Sequence, residues 1–166
     1  LSLEPEPTGV RRDRDGNWLA LYDLDPGQKL DISATVEITV FLEPKKNRTL
    51  EHIELATYLT PLPYWEVYDG KIVSLASTYR TPRAIYDYVV ETLGYDYKRV
   101  TQNPVRLGAI GILAGPKRAI CMEFTDLFIA MARAAGIPAR EVVGYAHTTN
   151  SKLRPLSLVS DVLHAW

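Results

Sequence analysis

Apolar and polar positions alternate most clearly from residue 32. Ile32, Ala34, Val36, Ile38, Val40 and Leu42 interleave with Ser33, Thr35, Glu37, Thr39 and Phe41. A period of two with β-branched residues predicts a half-buried strand. Residues 18–42 as a whole read as strands. Asp25-Pro26-Gly27 suits a type II turn, because Pro sets the first central φ and Gly takes the positive one. Pro44 ends the run, and Lys45-Lys46-Asn47-Arg48 is an exposed turn. Residues 49–68 are less regular, and Pro61 and Pro63 exclude a helix interior there. The aromatics Tyr58, Tyr64, Trp65 and Tyr68 read as core cover carried on an extended loop, with a groove wall as the alternative.

From residue 69 the period becomes helical. Asp69 suits the cap of a helix through about Tyr79, with Ile72, Leu75, Ala76 and Tyr79 on one face. Thr81 is a second N-cap and Pro82 fits the first helical position. Ala84, Ile85, Tyr88, Val89, Thr92 and Leu93 then form a stripe, which Gly94 closes. Residues 95–119 read as a long loop with Pro104, Gly108, Gly111 and Gly115, of the length that often binds ligands. A third helix runs from Cys121 to Ala135, with Phe124, Leu127, Phe128, Met131, Ala132 and Ala135 on one face. Gly136 stops it and Pro138 prevents resumption. Strands over Arg140–Ala146 and Leu158–Trp166 flank a polar turn at Thr148–Pro155.

Bulk composition narrows the function classes. The chain has 166 residues, 46% hydrophobic and 23% charged, with a formal net charge of −1. That suits an ordinary soluble domain with one core, or one core and an appendage. Arg11, Arg12 and Arg14 interleave with Asp13 and Asp15, which marks a solvated loop and gives nucleic-acid binding little support. No apolar stretch approaches the roughly 20 residues of a membrane span. No signal peptide is visible. The first residue is Leu1, not Met, and Leu1–Asp15 has the prolines and charges of a linker. The expected organisation is a piece of a longer protein: a linker and β-rich segment over 1–50, then a core over 51–166 that is incomplete at its end. Compartment stays open.

The candidate chemistry centres on Cys121, the single cysteine. It follows the Gly115-Pro116 turn and opens a helix. Unpaired N–H groups and partial positive charge at a helix start favour a thiolate, which is the nucleophilic form. The plain alternative is a small buried apolar residue. A cysteine nucleophile needs a base, usually histidine. His52 lies in the charged run Glu51-His52-Ile53-Glu54 and reads as a surface residue. His147 closes a strand. His164 lies in the apolar strand Val162-Leu163-His164-Ala165-Trp166, where a lone histidine is ordinarily a core residue. A helix starting at Cys121 and packed on a sheet would bring that strand to the thiol. No Cys/His set has zinc spacing. The glycines at 108, 111 and 115 lack the Lys-Ser/Thr ending of a phosphate loop. No metal or other cofactor is called for. Glu123 and Asp126 read as acids complementing the helix dipole.

The run Cys121-Met-Glu-Phe-Thr-Asp-Leu-Phe-Ile-Ala-Met-Ala-Arg133-Ala-Ala-Gly136-Ile-Pro138-Ala-Arg140-Glu-Val-Val-Gly144-Tyr145, followed by His164-Ala165-Trp166, resembles the core of the transglutaminase-like superfamily. Pro82–Tyr97 and the loop Arg106-Leu107-Gly108-Ala109 add to the likeness, which covers about residues 70–166. Residues 1–50 resemble, more weakly, the β-rich segment often found ahead of that core. The resemblance implies an α+β, papain-like fold with a cysteine helix against an antiparallel sheet. It implies Cys121 as nucleophile and His164 as base in acyl transfer through a thioester. The oxyanion hole would include the Cys121 N–H, with Tyr95 and Asn103 considered for the second donor.

One departure stands out. The family's orienting aspartate is expected on a strand after Trp166. Asp161 is a poor substitute, because three residues along a strand place it on the opposite face from His164. Losing such an acid costs about four orders of magnitude in rate by analogy with the serine triad. The segment alone is therefore expected to be weakly active or inactive, with the rest of the parent protein completing the sheet. Three functions follow from the resemblance: a cysteine protease or amidase acting on protein or peptide amides, an amine-accepting cross-linking enzyme, and a non-catalytic protein-binding module. Hydrolysis is preferred, because water is always available and nothing in the chain indicates an amine site.

Overall fold

The computed structural model describes residues 1–13, 15–37, 39, 43, 52–100, 104–147 and 161–165, with backbone alone for 52–54, 145–147 and 161–164. The chain divides into two compact units, Leu1–Arg48 and Thr49–Trp166.

The first unit holds two small antiparallel pairs. Strand β1 (Ser2–Glu4) pairs with β4 (Ser33–Thr35), with Leu3 opposite Ala34. Strand β2 (Gly9–Arg12) pairs with β3 (Trp18–Leu21), with Val10 opposite Ala20. The β2–β3 turn is tied by Asp13, whose carboxylate accepts from the Asn17 backbone N–H and side-chain amide at 2.8 and 3.0 Å. The Asp25-Pro26-Gly27 turn forms as the sequence suggests: Gln28 N–H donates to Asp25 O at 2.9 Å, and Gly27 has φ 82°. The long alternating strand does not form at its predicted length. Its described ladder covers only Ser33–Thr35, and Ile32 and Val36 stay about half exposed. Its partner β1 stops at Glu4 because Pro5 has no N–H to extend the ladder. Ile38, Val40, Phe41 and Leu42 lie outside the described residues.

The second unit is built around one helix. Its helices are α1 (His52–Thr57), α2 (Gly70–Thr78), α3 (Pro82–Thr92), α4 (Gly108–Ala114) and α5 (Cys121–Ala134). Short 3-10 turns cover Tyr97–Arg99 and Pro116–Arg118. Strands β5 (Val143–His147) and β6 (Asp161–Ala165) form an antiparallel pair in which Gly144 faces His164. Helix α5 packs against α2, α3, α4 and β6. The core joins Ile72, Ile85, Val89 and Ile112 to Leu127, Ile129 and Met131 of α5, with Trp65 beside them. Buried residues occur all round α5, as expected of a helix enclosed on several sides. Helices and small antiparallel sheets together make the chain mixed α+β.

The caps follow local chemistry. The Asp69 carboxylate accepts from Lys71 N–H at 2.8 Å, and Thr81 Oγ1 accepts from Ala84 N–H at 3.2 Å. Each side-chain oxygen satisfies a donor that the first helical turn leaves free. Two sequence expectations are corrected here. The loop assigned to 95–119 contains α4, which forms despite Gly108 and Gly111 because Ala109 and Ile112 are wholly buried in the core. Strand β5 begins at Val143, not Arg140. The preceding backbone is committed elsewhere: Ala139 N–H donates to Tyr58 O at 3.1 Å, and Ala139 O accepts from the Arg133 guanidinium. The Thr148–Pro155 turn and the stretch Leu158–Ser160 lie outside the described residues.

Candidate active site

Cys121 is the first residue of α5 and is partly exposed. The chain entering it is fixed by a second segment. Gly94 O accepts from Ala119 N–H at 3.1 Å, and Asp96 N–H donates to Ala119 O at 2.8 Å. These bonds make a parallel bridge between Tyr95 and Ala119, two residues before the cysteine. Tyr95 and Cys121 thereby line the same cleft, with the phenol near enough to feel the charge and the backbone N–H of Cys121. Its ring stacks on Phe124, one turn into α5, at 6.1 Å between centroids. Burial first, and the neighbouring Cys121 charge second, push the phenol up to about 12 against the pull of the Cys121 N–H. Tyr95 therefore stays a protonated hydroxyl, able to donate a hydrogen bond, throughout the neutral range.

A cleft of about 660 Å³ opens beside the thiol. Cys121, Tyr95, Val89, Phe124, Phe128 and Ala165 are among the residues on its wall, which is largely apolar. Ala165 is the last residue of β6, next to His164, and β6 packs on α5. The backbone thus carries position 164 to the neighbourhood of the cysteine. The side chain of His164 lies outside the described residues, as do those of His52 in α1 and His147 at the end of β5. Asp161 sits on the same strand as His164, with its backbone opposite His147. Asn103 lies outside the described residues; of the two candidates for an oxyanion donor, Tyr95 is the one seen at the cysteine.

The buried acids of α5 correct the reading of them as dipole complements. Glu123 and Asp126 are both fully buried. Glu123 Oε2 accepts from Ile120 N–H at 2.9 Å. Its Oε1 accepts from Leu107 N–H and from Arg99 Nη2, each at 3.0 Å. Asp126 takes two donors from Arg106, and Trp65 Nε1 donates to it at 2.8 Å. Arg106 also pairs with Glu141 at 2.9 Å and stacks over the Tyr64 ring at 4.9 Å. Both partners are shifted upward, which favours the charged form of Arg106 and the neutral form of Asp126. The hydrogen bonds to Asp126 make Arg106 keep its proton more firmly, whereas burial outweighs Arg106 and lifts the Asp126 carboxyl to about 6. The direction at Asp126 follows from its complete burial; Arg106 keeps about a fifth of its side chain exposed. Asp126 is still ionised at neutral pH. The sequence carried one hint of this network: two acids, Glu123 and Asp126, inside an otherwise largely apolar helix.

Among the described residues no group of His, Cys, Asp and Glu side chains is arranged to hold a metal ion. No helix there is long and apolar enough to cross a membrane. Of known families, the model of the transglutaminase-like superfamily matches residues 69–166. No curated protein and no solved structure matches the chain. The match begins at the cap of α2 and spans Tyr95, Cys121 and His164.

Proposed function

The chain belongs to the transglutaminase-like superfamily, and from that premise we propose a cysteine-nucleophile acyl-transfer enzyme with a papain-like core that hydrolyses peptide or side-chain amides through a thioester. One observation supports this reading above the others. Cys121, at the N-terminus of α5, and Tyr95 line one cleft, whose wall also includes Ala165, the neighbour of His164.

In the proposed reaction His164 takes the thiol proton as the sulfur attacks the amide carbonyl. The carbonyl electron pair moves onto oxygen. The Cys121 N–H and the Tyr95 hydroxyl donate to that oxyanion, the latter remaining neutral as a donor should. When the carbonyl re-forms, the C–N bond breaks and the imidazolium proton passes to the departing amine. Water, deprotonated by His164, then attacks the thioester, the C–S bond breaks, and a carboxylic acid leaves. The apolar cleft beside the thiol suits a protein or peptide substrate better than a small polar one.

The test is acylation of the full-length protein by p-nitrophenyl acetate, followed by mass spectrometry of the intact and digested protein. The reading predicts an acetyl adduct on Cys121 that water removes, absent from Cys121→Ala. Loss of the adduct only when a primary amine is added would favour cross-linking instead. No adduct on Cys121 would favour the protein-binding module.

A further inference from the structure

We propose that Glu123, through its ion pair with Arg99, is the positioning residue of this site and sets the Cys121 N–H against the Tyr95 hydroxyl. The inference rests on the proposed acyl-transfer reading and deepens it.

The three residues before the nucleophile are each tied by a separate bond. Arg118 O accepts from the Arg99 guanidinium. Ala119 is held on both sides by Gly94 and Asp96. Ile120 N–H is held by Glu123 Oε2. The first two ties come from the segment that carries Tyr95. The third comes from α5 itself, and the 3.0 Å Arg99–Glu123 pair joins the two sets. Arg99 also reaches Val105 O at 2.6 Å, and Glu123 reaches Leu107 N–H, so the pair gathers the approach to α4 as well. One buried carboxylate therefore links the segment bearing one proposed oxyanion donor to the helix turn bearing the other.

A plain helix cap would ask for less. The Glu123 to Ile120 N–H bond is half of a capping box, and glutamine at that position serves it equally well. Ile120 offers no side-chain oxygen to complete the box. What glutamine cannot supply is the anion facing Arg99 while all three donors are accepted. With Gln, one donor would meet an amide NH₂, and the Tyr95 segment would lose its charge-assisted tie. Small displacements of reacting groups are expensive: about 1 Å costs about 100-fold in rate.

The experiment compares two reactions at the same sulfur. Acylation by p-nitrophenyl acetate passes through an oxyanion; alkylation by iodoacetamide is a displacement and does not. Glu123→Gln is expected to slow acylation of Cys121 by about 10- to 100-fold while alkylation changes by less than about 3-fold. Arg99→Gln, which attacks the pair from its more exposed side, is expected to show the same split and covers the case in which Glu123→Gln does not fold. Equal slowing of both reactions in a folded variant, or no slowing of acylation, would overturn the positioning role while leaving the acyl-transfer reading intact. A full-length wild-type protein that is never acylated at Cys121 would overturn both.

Discussion

Replacing Arg106 with leucine removes the one cation that, among the described residues, is bonded to the fully buried carboxylate of Asp126. Asp126 would keep the Trp65 indole N–H and lose both Arg106 donors. Its escape is to take a proton. Wild type already carries part of that burden, because burial holds Asp126 at about 6 against an ordinary 3.8. At pH 7 this amounts to about 3 kcal/mol in wild type, and full neutralisation in the variant to about 4 kcal/mol. The added linkage cost is therefore about 1 kcal/mol. The lost hydrogen bonds, the Glu141 pair and the Tyr64 contact add about 1–2 kcal/mol more. Arg106→Leu should lose about 2–3 kcal/mol at pH 7. At pH 5 Asp126 is mostly protonated in wild type too, so the loss should shrink by about 1 kcal/mol. Urea unfolding at the two pH values reads both numbers. A loss below about 1 kcal/mol at pH 7, or one that grows toward pH 5, would refute the reasoning.

Three further outcomes are expected. Asp126→Asn removes the titration itself. Between pH 3.8 and about 6 the folded chain keeps a proton that the unfolded chain has released, so this group's contribution falls as pH rises through that window. The stability of wild type relative to Asp126→Asn should then decline by up to about 3 kcal/mol from pH 4 to pH 7, and a flat difference would count against it. Tyr95→Phe keeps the ring on Phe124 and deletes the hydroxyl; acylation of Cys121 should fall by about 100-fold or more with little change in thermal midpoint. Gly108→Ala should cost about 1–3 kcal/mol, measured by denaturant, because the residue has φ 75° and its new Cβ would stand 3.0 Å from Glu66 Oε1 and 3.1 Å from Tyr64 Cα.

Much of the helical frame was legible because its cues are local. Thr81 and Pro82 announced α3, Asp69 announced α2, and the spacing from Phe124 to Met131 announced α5 to within a residue. The likeness carried by Cys121, Gly136-Ile137-Pro138-Ala139-Arg140 and His164-Ala165-Trp166 is borne out at the level of family. What escaped depends on distant partners. Gly108 and Gly111 outweighed the apolar residues of α4, whose stability comes from burial against α5 and from Glu66 accepting Ala109 N–H at 3.2 Å. The alternation after Ile32 could not reveal how short its partner strand is. Glu123 and Asp126 read as acids complementing the helix dipole because their arginines lie 24 and 20 residues away in sequence. The resemblance offers Tyr95 as a donor, but its place beside Cys121 follows from the bridge to Ala119, which no local pattern encodes.

The central claim is that Cys121 works with His164 as nucleophile and base. The most direct measurement is the rate of iodoacetamide alkylation of Cys121 across pH 5–9 in the full-length protein, wild type and His164→Ala. The account predicts fast alkylation persisting below pH 7, where an ordinary thiol is almost unreactive, and a profile displaced to higher pH when His164 is removed. A wild-type profile matching that of a free cysteine, unmoved by His164→Ala, would contradict it.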